Sequence, residues 1–379
     1  MQLITGVTRV QQVGNIDLGY SYTVVDSSGK VHSDAEEFLR RYSSGTARTY
    51  AYLLVKHLRC IEAWGKNVRE IENPDLERYM FLLKRGDLPY SKGVPSTSTI
   101  NVSATCLSEF YKYLIATGRS SASLSKSSPT YETRSRIDRK MLGHLSRPAV
   151  RLSALKGVRN YTVSPSWVSD SEIDSLLAVA ANPRDKLIIV WLRDAGFRVG
   201  EICGVKYSEI HLQDDAPCGD CDSPHVHICH KEYAPNRARV KVKHAWSTKN
   251  GIVQGGQVRR VSPDMVHAYF DLQTSEWANT SGFLLRRMDN KNLGEPIGTH
   301  GVRGVLRRLC RRADLREVNP HEFRHRFAHR VLEASQDTHI ASAAGGWQSA
   351  QMVEQVYGHP DLGSSVFEAA LAEVWNTNA

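Results

Sequence analysis

Apolar residues recur at three- and four-residue spacing through the first third of the chain, which predicts amphipathic helices. One apolar face runs through residues 50–64, and a further helix covers about residues 97–117. Between them a helix is predicted to begin at Asn73–Pro74, since asparagine caps helices and proline suits the first helical position. The pattern predicts a small helical domain over residues 34–120, preceded by an N-terminal extension, residues 1–33.

The second half of the chain mixes helical and strand patterns. Ser169 and Glu172 have the spacing of a capping box, and Asn182–Pro183 begins a helix that Gly196 ends. Residues 225–262 alternate and carry β-branched side chains, which predicts strands, and helical spacing resumes from Thr299 to Tyr357. Residues 166–379 are therefore predicted to form an α+β domain, in a chain that is mostly helical overall.

A segment rich in serine and basic residues, 121–165, separates the two predicted domains. Its bases include Arg134, Arg136, Arg139 and Lys140. One interpretation is a solvated linker, and the other is a basic strap that lies on the phosphates of a nucleic acid. The two are compatible, and the formal net charge of +9 favours a polyanionic partner.

The composition also limits the compartment. The seven cysteines are scattered, so a disulfide framework is not expected. No apolar run approaches the roughly 20 residues that span a bilayer. The first residues lack a basic start followed by an apolar stretch. We therefore expect a cytoplasmic protein with no membrane partner.

Four short pieces of the second domain carry the candidate chemistry. Arg198 lies two residues after Gly196, the glycine that ends a predicted helix. His321 and Arg324 follow Pro320 and would lie one helical turn apart on the same face. A Gly-Gly pair precedes Trp347, and Tyr357 follows ten residues later. Each piece alone is ordinary, because such residues more often serve solvated faces or packing.

In this order and spacing the pieces resemble the tyrosine recombinase, or phage integrase, family. The resemblance covers roughly residues 35–375 and is strongest from Ala195 to His359. It implies a helical, SAM-like core-binding domain and an α+β catalytic domain with a small antiparallel sheet, which together form a clamp on DNA. It also implies that the protein cleaves and rejoins duplex DNA through a covalent 3′-phosphotyrosine.

The resemblance implies a role for each residue. Arg198 and Arg324 would grip the non-bridging phosphate oxygens, where guanidinium groups stay charged and bind bidentately. Trp347 would donate its indole N–H to the same oxygens and pack against the nucleophile, Tyr357. His321 would be the base or a hydrogen-bond partner of that tyrosine. The resemblance requires no cofactor and no catalytic metal.

The leaving 5′-oxygen needs an acid, which the family supplies as a lysine on a β-hairpin. Lys249 is the first candidate, because Asn250–Gly251 is a strong turn signal. Lys243 and Lys241 are the second and third. Together with Arg239 they alternate along a predicted strand, so all three bases would face one side and contact DNA.

Double-stranded DNA is the implied partner, and the implied assembly is a homotetramer on two duplexes. The tail from Phe367 to Trp375 has helical spacing and would dock on a neighbouring subunit. The segment before Asp34 is too short for the arm-binding domain of some integrases, which favours a simpler recombinase or a transposition enzyme. Two alternatives remain open: a type IB topoisomerase-like relaxase and a non-catalytic DNA-binding regulator.

One segment departs from a minimal family member. Cys218 and Cys221 have ligand-like spacing, and His225, His227, Cys229 and His230 follow them. A zinc knuckle is one interpretation, and a plain surface insertion is the other.

Overall fold

The computed structural model describes most of the chain. The described residues are 6–15, 19–91, 93–126, 152–155, 157–158, 165–214, 216, 218–232, 234–242, 246–248, 251–253, 256–275, 281–288 and 292–357. The chain divides into two compact units, Met1–Tyr161 and Thr162–Ala379. None of the described helices has the length and apolarity needed to cross a bilayer.

The first unit is a helical cluster with a β-hairpin at its N-terminal side. Its elements are β1 (Arg9–Asn15), β2 (Gly19–Val25), α1 (Ser33–Leu39), α2 (Ser44–Ala63), α3 (Asn73–Arg85), α4 (Thr97–Ala116) and α5 (Ala122–Lys126). The hairpin is antiparallel, with Arg9 opposite Val25, and it packs on α2. The predicted helices therefore form, and α3 begins one residue earlier than predicted, since Glu72 is its cap and Asn73 is its first helical residue.

Aromatic side chains fill the core of the first unit. Phe38 and Phe110 meet edge to face with ring centroids 5.2 Å apart. Leu152 and Leu155, beyond the undescribed part of the basic segment, are buried in this same core. Residues 152–155 of the basic segment thus pack into the core of the helical unit. Arg134, Arg136, Arg139 and Lys140 lie outside the described residues.

The second unit is mostly helical and carries small antiparallel sheets. Its elements are α6 (Asp170–Val179), α7 (Pro183–Ala195), α8 (Val199–Gly204), β3 (Ile210–His211), β4 (His225–Cys229), β5 (Trp246–Thr248), β6 (Gly251–Val253), β7 (Gly256–Arg260), α9 (Pro263–Thr274), α10 (Thr299–Arg312), α11 (Pro320–Ser335), α12 (Thr338–Gly345) and α13 (Ala350–Tyr357). Strands pair in the order β3-β4-β7, and β5 pairs with β6. The mostly helical α+β fold with a small antiparallel sheet is confirmed.

Helix α7 is the centre of this unit and packs against α9 and α11. Its Trp191 is fully buried and donates its indole N–H to the carbonyl of Met265 at 3.1 Å. Phe197 stacks on the same ring at 5.8 Å. The segment that begins with Phe197 and Arg198 is therefore fixed to the core on one side.

The prediction of a strand at residues 239–243 is wrong for the residues that the structure describes, 239–242. Val240 forms only an isolated bridge with Lys231. The side chain of Asn236 donates to the carbonyls of Cys203 and Ile297, which pins this segment to the body of the unit. Arg239 is half-buried and paired with Glu232, whereas Lys241 is exposed. Burial still alternates here, since Val240 is buried between the more accessible Arg239 and Lys241.

Candidate active site

Arg198 stands at the N-terminus of α8, where its conformation is extended. Gly196, just before it, is left-handed at φ 56° and ends α7. A side chain at Gly196 would also collide with the Phe327 ring, so glycine is required for both reasons. The tight connection from α7 to α8 is what presents Arg198 next to α11.

The carboxylate of Glu201 lies buried among three arginines. It accepts from the Arg198 backbone N–H at 2.8 Å and from Arg198 Nη1 at 2.6 Å. Its second oxygen lies 3.8 Å from Arg259 Nη2 and 3.9 Å from Arg324 Nη1. Burial alone would raise the pKa of Glu201, but Arg259, Arg324 and Arg198 outweigh it and hold the pKa below its ordinary value. Glu201 is thus an ionised anchor that aligns guanidinium groups.

Arg324 is 1% exposed and is held on three sides. Nη1 donates to the carbonyl of Gly196 at 2.7 Å, and its guanidinium carbon lies 3.9 Å from the centroid of the Trp347 ring. Burial lowers the pKa of Arg324 to about 9, which leaves it charged at neutral pH. Nη2 has no hydrogen-bond partner in the described part of the chain. A buried, charged donor without a partner is suited to an anionic oxygen.

Tyr357 ends α13 and faces α11. Its hydroxyl is hydrogen-bonded to Nδ1 of His325, and its ring meets the Trp347 ring edge to face at 6.2 Å. Burial raises the pKa of Tyr357 to about 12, although Arg324 acts in the opposite direction. The phenol is therefore protonated at neutral pH and hydrogen-bonded to an imidazole.

The hydrogen bond expected between His321 and Tyr357 belongs instead to His325. The two imidazoles meet edge to face with centroids 4.4 Å apart. Burial, the neighbouring His321 and Arg324 lower the pKa of His325 to about 4, so its ring is neutral at neutral pH. The pKa of His321 also lies below its ordinary value, because partial burial disfavours its charged form and Arg324 and Arg198 repel it.

Local sequence explains how α11 presents these rings. Asn319 accepts from the His321 backbone N–H at 2.9 Å, and Glu322 accepts from the Asn319 backbone at 3.1 Å. This reciprocal capping begins the helix at Pro320, as predicted. His321, Arg324 and His325 then lie on one face, since residues three and four apart are neighbours on a helix.

Trp347 is positioned by the two glycines before it. Gly346 ends α12 in the left-handed conformation at φ 63°. At Gly345 an added Cβ would lie 1.5 Å from the Trp347 ring, so any side chain there must displace the indole. The Gly-Gly-Trp piece therefore serves to place the indole against Arg324.

Arg259 belongs to the cluster and was missed as a site residue. It lies in β7, is fully buried, and donates to the carbonyl of Gly345. Burial lowers its pKa to about 10. Alternation in β7 did not mark it, because burial along this strand does not follow a strict two-residue period. Its role is to support Glu201 and the end of α12.

The structure thus brings together Arg198, His321, Arg324, Trp347 and Tyr357 around Glu201 and His325. The hairpin predicted around Asn250–Gly251 is present, with Thr248 opposite Gly251. Lys249 and Lys243 lie outside the described residues. Lys241 is described, and it is exposed in an irregular segment.

Comparison with known proteins identifies relatives of this arrangement. A family profile described as "Phage integrase family" matches residues 261–362, which include α11, α12 and α13. Tyrosine recombinase XerA of Thermococcus kodakarensis is 24% identical over 203 residues, 53% of this chain and 56% of that protein. Transposase A from transposon Tn554 of Staphylococcus aureus is 20% identical over 326 residues, 84% of this chain and 83% of that protein.

Solved structures share the fold. The Tn1549 transposon integrase in complex with transposon right end DNA has a TM-score of 0.57 at 14% identity, covering 91% of this chain and 98% of that one. The XerH site-specific recombinase bound to palindromic difH substrate has a TM-score of 0.56 at 15% identity, covering 89% and 82%. These structures share their fold with this chain, and residues 261–362, which carry His321, Arg324, Trp347 and Tyr357, are similar to the phage integrase family.

Proposed function

We propose that this protein is a site-specific DNA recombinase that cleaves and rejoins duplex DNA through a covalent 3′-phosphotyrosine at Tyr357. The observation that carries the proposal is the meeting of the Tyr357 hydroxyl with a neutral His325, beside an indole stacked on the buried Arg324. A nucleophile, a proton acceptor and a fixed positive charge are the parts that transesterification at a phosphodiester needs.

Arg198 and Arg324 form the proposed phosphate clamp. Both guanidinium groups reach the one carboxylate of Glu201, which fixes their mutual orientation before DNA arrives. Arg198 keeps 40% of its side chain exposed, and Arg324 offers the unpartnered Nη2. Preorganised donors of this kind stabilise the extra negative charge of five-coordinate phosphorus, which is commonly the largest catalytic contribution.

Proton transfer follows from the hydrogen bond at the nucleophile. The Tyr357 oxygen attacks phosphorus while its proton passes to Nδ1 of His325, and the bond from phosphorus to the 5′-oxygen breaks. The leaving 5′-oxygen takes a proton from a lysine, for which Lys249 is the first candidate and Lys243 and Lys241 are the others. One phosphodiester is exchanged for another, so the reverse reaction rejoins the strand without an external energy source.

DNA contacts outside the site are proposed for the basic residues. The linker bases Arg134, Arg136, Arg139 and Lys140 and the exposed Lys241 would neutralise phosphates. Arg239 would have to leave Glu232 to do the same. We further propose a homotetramer that holds two duplexes, and action in the cytoplasm, where the DNA lies. The names of the Tn554 and Tn1549 relatives support movement of a mobile element as the biological role.

The experiment that tests this function is recovery and sequencing of DNA covalently trapped on the protein in cells. A site-specific recombinase yields recurrent junctions at one sequence motif. A topoisomerase-like relaxase yields adducts spread without a motif, and a non-catalytic regulator yields none. Either of the last two results would contradict the proposal.

A further inference from the structure

A cluster of three histidines and one cysteine lies on the small sheet, outside the proposed catalytic cluster. His211 in β3 stands directly opposite His225 in β4, and His227 follows two residues later on the same face of β4. Cys218 lies in the connection between the two strands. On the other face of β4, Val226 and Ile228 enter the hydrophobic core. The strand therefore fixes the imidazoles on the side that faces the connection.

The potential ligand atoms of this cluster converge. Cys218 Sγ lies 3.2 Å from His225 Nε2, which in turn lies 3.2 Å from His227 Nε2. The His211 ring is 5.0 Å from the His225 ring and 4.9 Å from the His227 ring. One ligand atom from each of His211, Cys218, His225 and His227 lies within 4.8 Å of the other three.

A backbone carbonyl sets the tautomer of the central imidazole. His225 Nδ1 lies 2.7 Å from the carbonyl oxygen of Ser223, and because a carbonyl can only accept, Nδ1 carries the proton. In the neutral ring the lone pair is then on Nε2, directed at Cys218 and His227. Histidines that bind metals are commonly oriented by such a bond at their other nitrogen.

Burial keeps the cluster away from bulk solvent, since His225 is fully buried. A metal coordinates the neutral form of an imidazole, and binding releases any proton that a ligand nitrogen carries.

We propose that His211, Cys218, His225 and His227 bind one zinc ion. One thiolate and three imidazoles make a closed tetrahedral set, and sulfur and nitrogen donors in this geometry favour zinc. Zinc–ligand bond lengths put neighbouring ligand atoms about 3.3–3.7 Å apart in a tetrahedron, so the observed 3.2 Å separations need only a small expansion. The Cys218 thiol gives up its proton on binding.

The site is structural, with no open position for substrate. It would tie the connection between β3 and β4 to the sheet β3-β4-β7. Within that sheet His227 pairs with Val258 and His225 pairs with Arg260. These two positions flank Arg259, which supports Glu201 in the proposed catalytic cluster. The zinc proposal therefore does not depend on the catalytic proposal. The bound ion would, however, stiffen the pairing of β4 with β7, the strand that carries Arg259.

Cys221 is the matched control, because sequence spacing makes it look like a ligand. Its Sγ instead receives a hydrogen bond from Arg260 Nη1 at 3.0 Å, and it is not one of the four converging residues. The structure therefore distinguishes two cysteines that lie three residues apart. Cys218→Ser should lose the metal, whereas Cys221→Ser should keep it.

The test uses the full chain, purified without chelator, and measures zinc by elemental analysis. The wild type and Cys221→Ser should each retain one zinc per chain after dialysis, and Cys218→Ser should bind Zn²⁺ at least about tenfold more weakly. Zinc bound equally by Cys218→Ser, or lost equally from Cys221→Ser, would overturn the assignment.

A second measurement does not depend on the folding of a variant. Wild-type protein reconstituted with Co²⁺ should show the visible absorption of a four-coordinate ion together with a thiolate charge-transfer band. Absence of that band, or of any zinc in the wild type, would overturn the proposal.

Discussion

Arg198 and Glu201 are joined by two hydrogen bonds within one turn of α8. The Glu201 carboxylate accepts from the Arg198 backbone N–H at 2.8 Å and from Nη1 at 2.6 Å. The same carboxylate is 2% exposed and also lies within 4 Å of Arg324 and Arg259. One buried negative charge therefore aligns and compensates the positive charges that the proposed clamp needs.

Replacing Glu201 by glutamine should damage both stability and catalysis. Glutamine keeps the size of the side chain but leaves the three arginines uncompensated, so we expect unfolding to become easier by about 3 kcal/mol or more. Strand cleavage should also be slowed. Glu317→Gln is the control, because Glu317 forms an exposed pair with Arg307 that is worth at most about 1 kcal/mol. Urea unfolding and single-turnover cleavage measure both effects, and equal behaviour of the two variants would contradict the anchor role.

His325 should matter more to cleavage than His321. If His325 accepts the Tyr357 proton, as the proposed mechanism requires, His325→Gln should slow single-turnover cleavage by about a hundredfold with DNA affinity unchanged. His321→Gln should slow it less. A larger loss of cleavage rate with His321→Gln than with His325→Gln would indicate that His321 is the base.

The pH profile gives a separate check on His325. Its pKa of about 4 means that its ring remains neutral as the pH falls from 7 to 5. Cleavage measured at limiting DNA concentration, which reports the free protein, should therefore not decline with an apparent pKa near 6.5. An acid limb at that ordinary histidine value would contradict the buried, neutral state.

Gly345→Ala should impair cleavage without removing any chemical group. The new methyl group would occupy the position of the Trp347 ring, so the indole must leave its place over Arg324. Gly304→Ala, inside α10, is the control, because its nearest neighbour is a flexible arginine end 3.9 Å away. Alanine at Gly304 should be neutral or stabilising by about 0.5–1 kcal/mol. Full cleavage activity in Gly345→Ala would mean that the indole position is unimportant.

The first unit should lose stability in acid through His57. This ring is fully buried, bonds to the Tyr111 hydroxyl at 2.7 Å, and has its pKa lowered by burial to about 3. A lowered pKa in the folded state means that its stability contribution is present above about pH 6.5 and is lost as the pH falls towards 3. The protection of α2 and α4 against hydrogen exchange, relative to the intrinsic exchange rate at each pH, should therefore fall over that range, and His57→Gln should flatten the dependence. An identical dependence in the variant would show that other groups control acid unfolding.

Signals between neighbouring residues were enough to predict where several helices begin and which side chains share a helix face. The Asn–Pro pairs at 182–183 and 319–320 each cap and begin a helix, because capping depends only on neighbouring residues, whereas the pair at 73–74 forms the first turn of a helix that Glu72 caps. For the same reason the spacing from His321 to Arg324 was enough to place both on one helix face. The order of the motifs then indicated which pieces meet.

Long-range packing decided what the sequence left undetermined. Nothing local distinguishes His325 from His321 as partner of Tyr357, since the choice depends on how α13 meets α11. Arg259 is buried because α12 and Glu201 cover β7, which alternation alone does not reveal. Likewise, His211 joins the cysteine and histidine cluster only because β3 pairs with β4, which places it opposite His225 despite their separation in the sequence. Residues 239–242 form an isolated bridge rather than a strand, and the side chain of Asn236, just before them, is bonded to the carbonyls of Cys203 and Ile297.

The most direct measurement is peptide mapping of the covalent DNA adduct, made with the wild type and with Tyr357→Phe. The DNA is the site recovered by sequencing trapped adducts. Phenylalanine keeps the ring beside Trp347 and removes only the attacking oxygen, so the variant should fold and bind this DNA normally. The account predicts a wild-type adduct on the peptide that contains Tyr357, with a free 5′-hydroxyl on the cleaved DNA, and no adduct with Tyr357→Phe. Attachment at another residue, or an adduct formed by the phenylalanine variant, would contradict it.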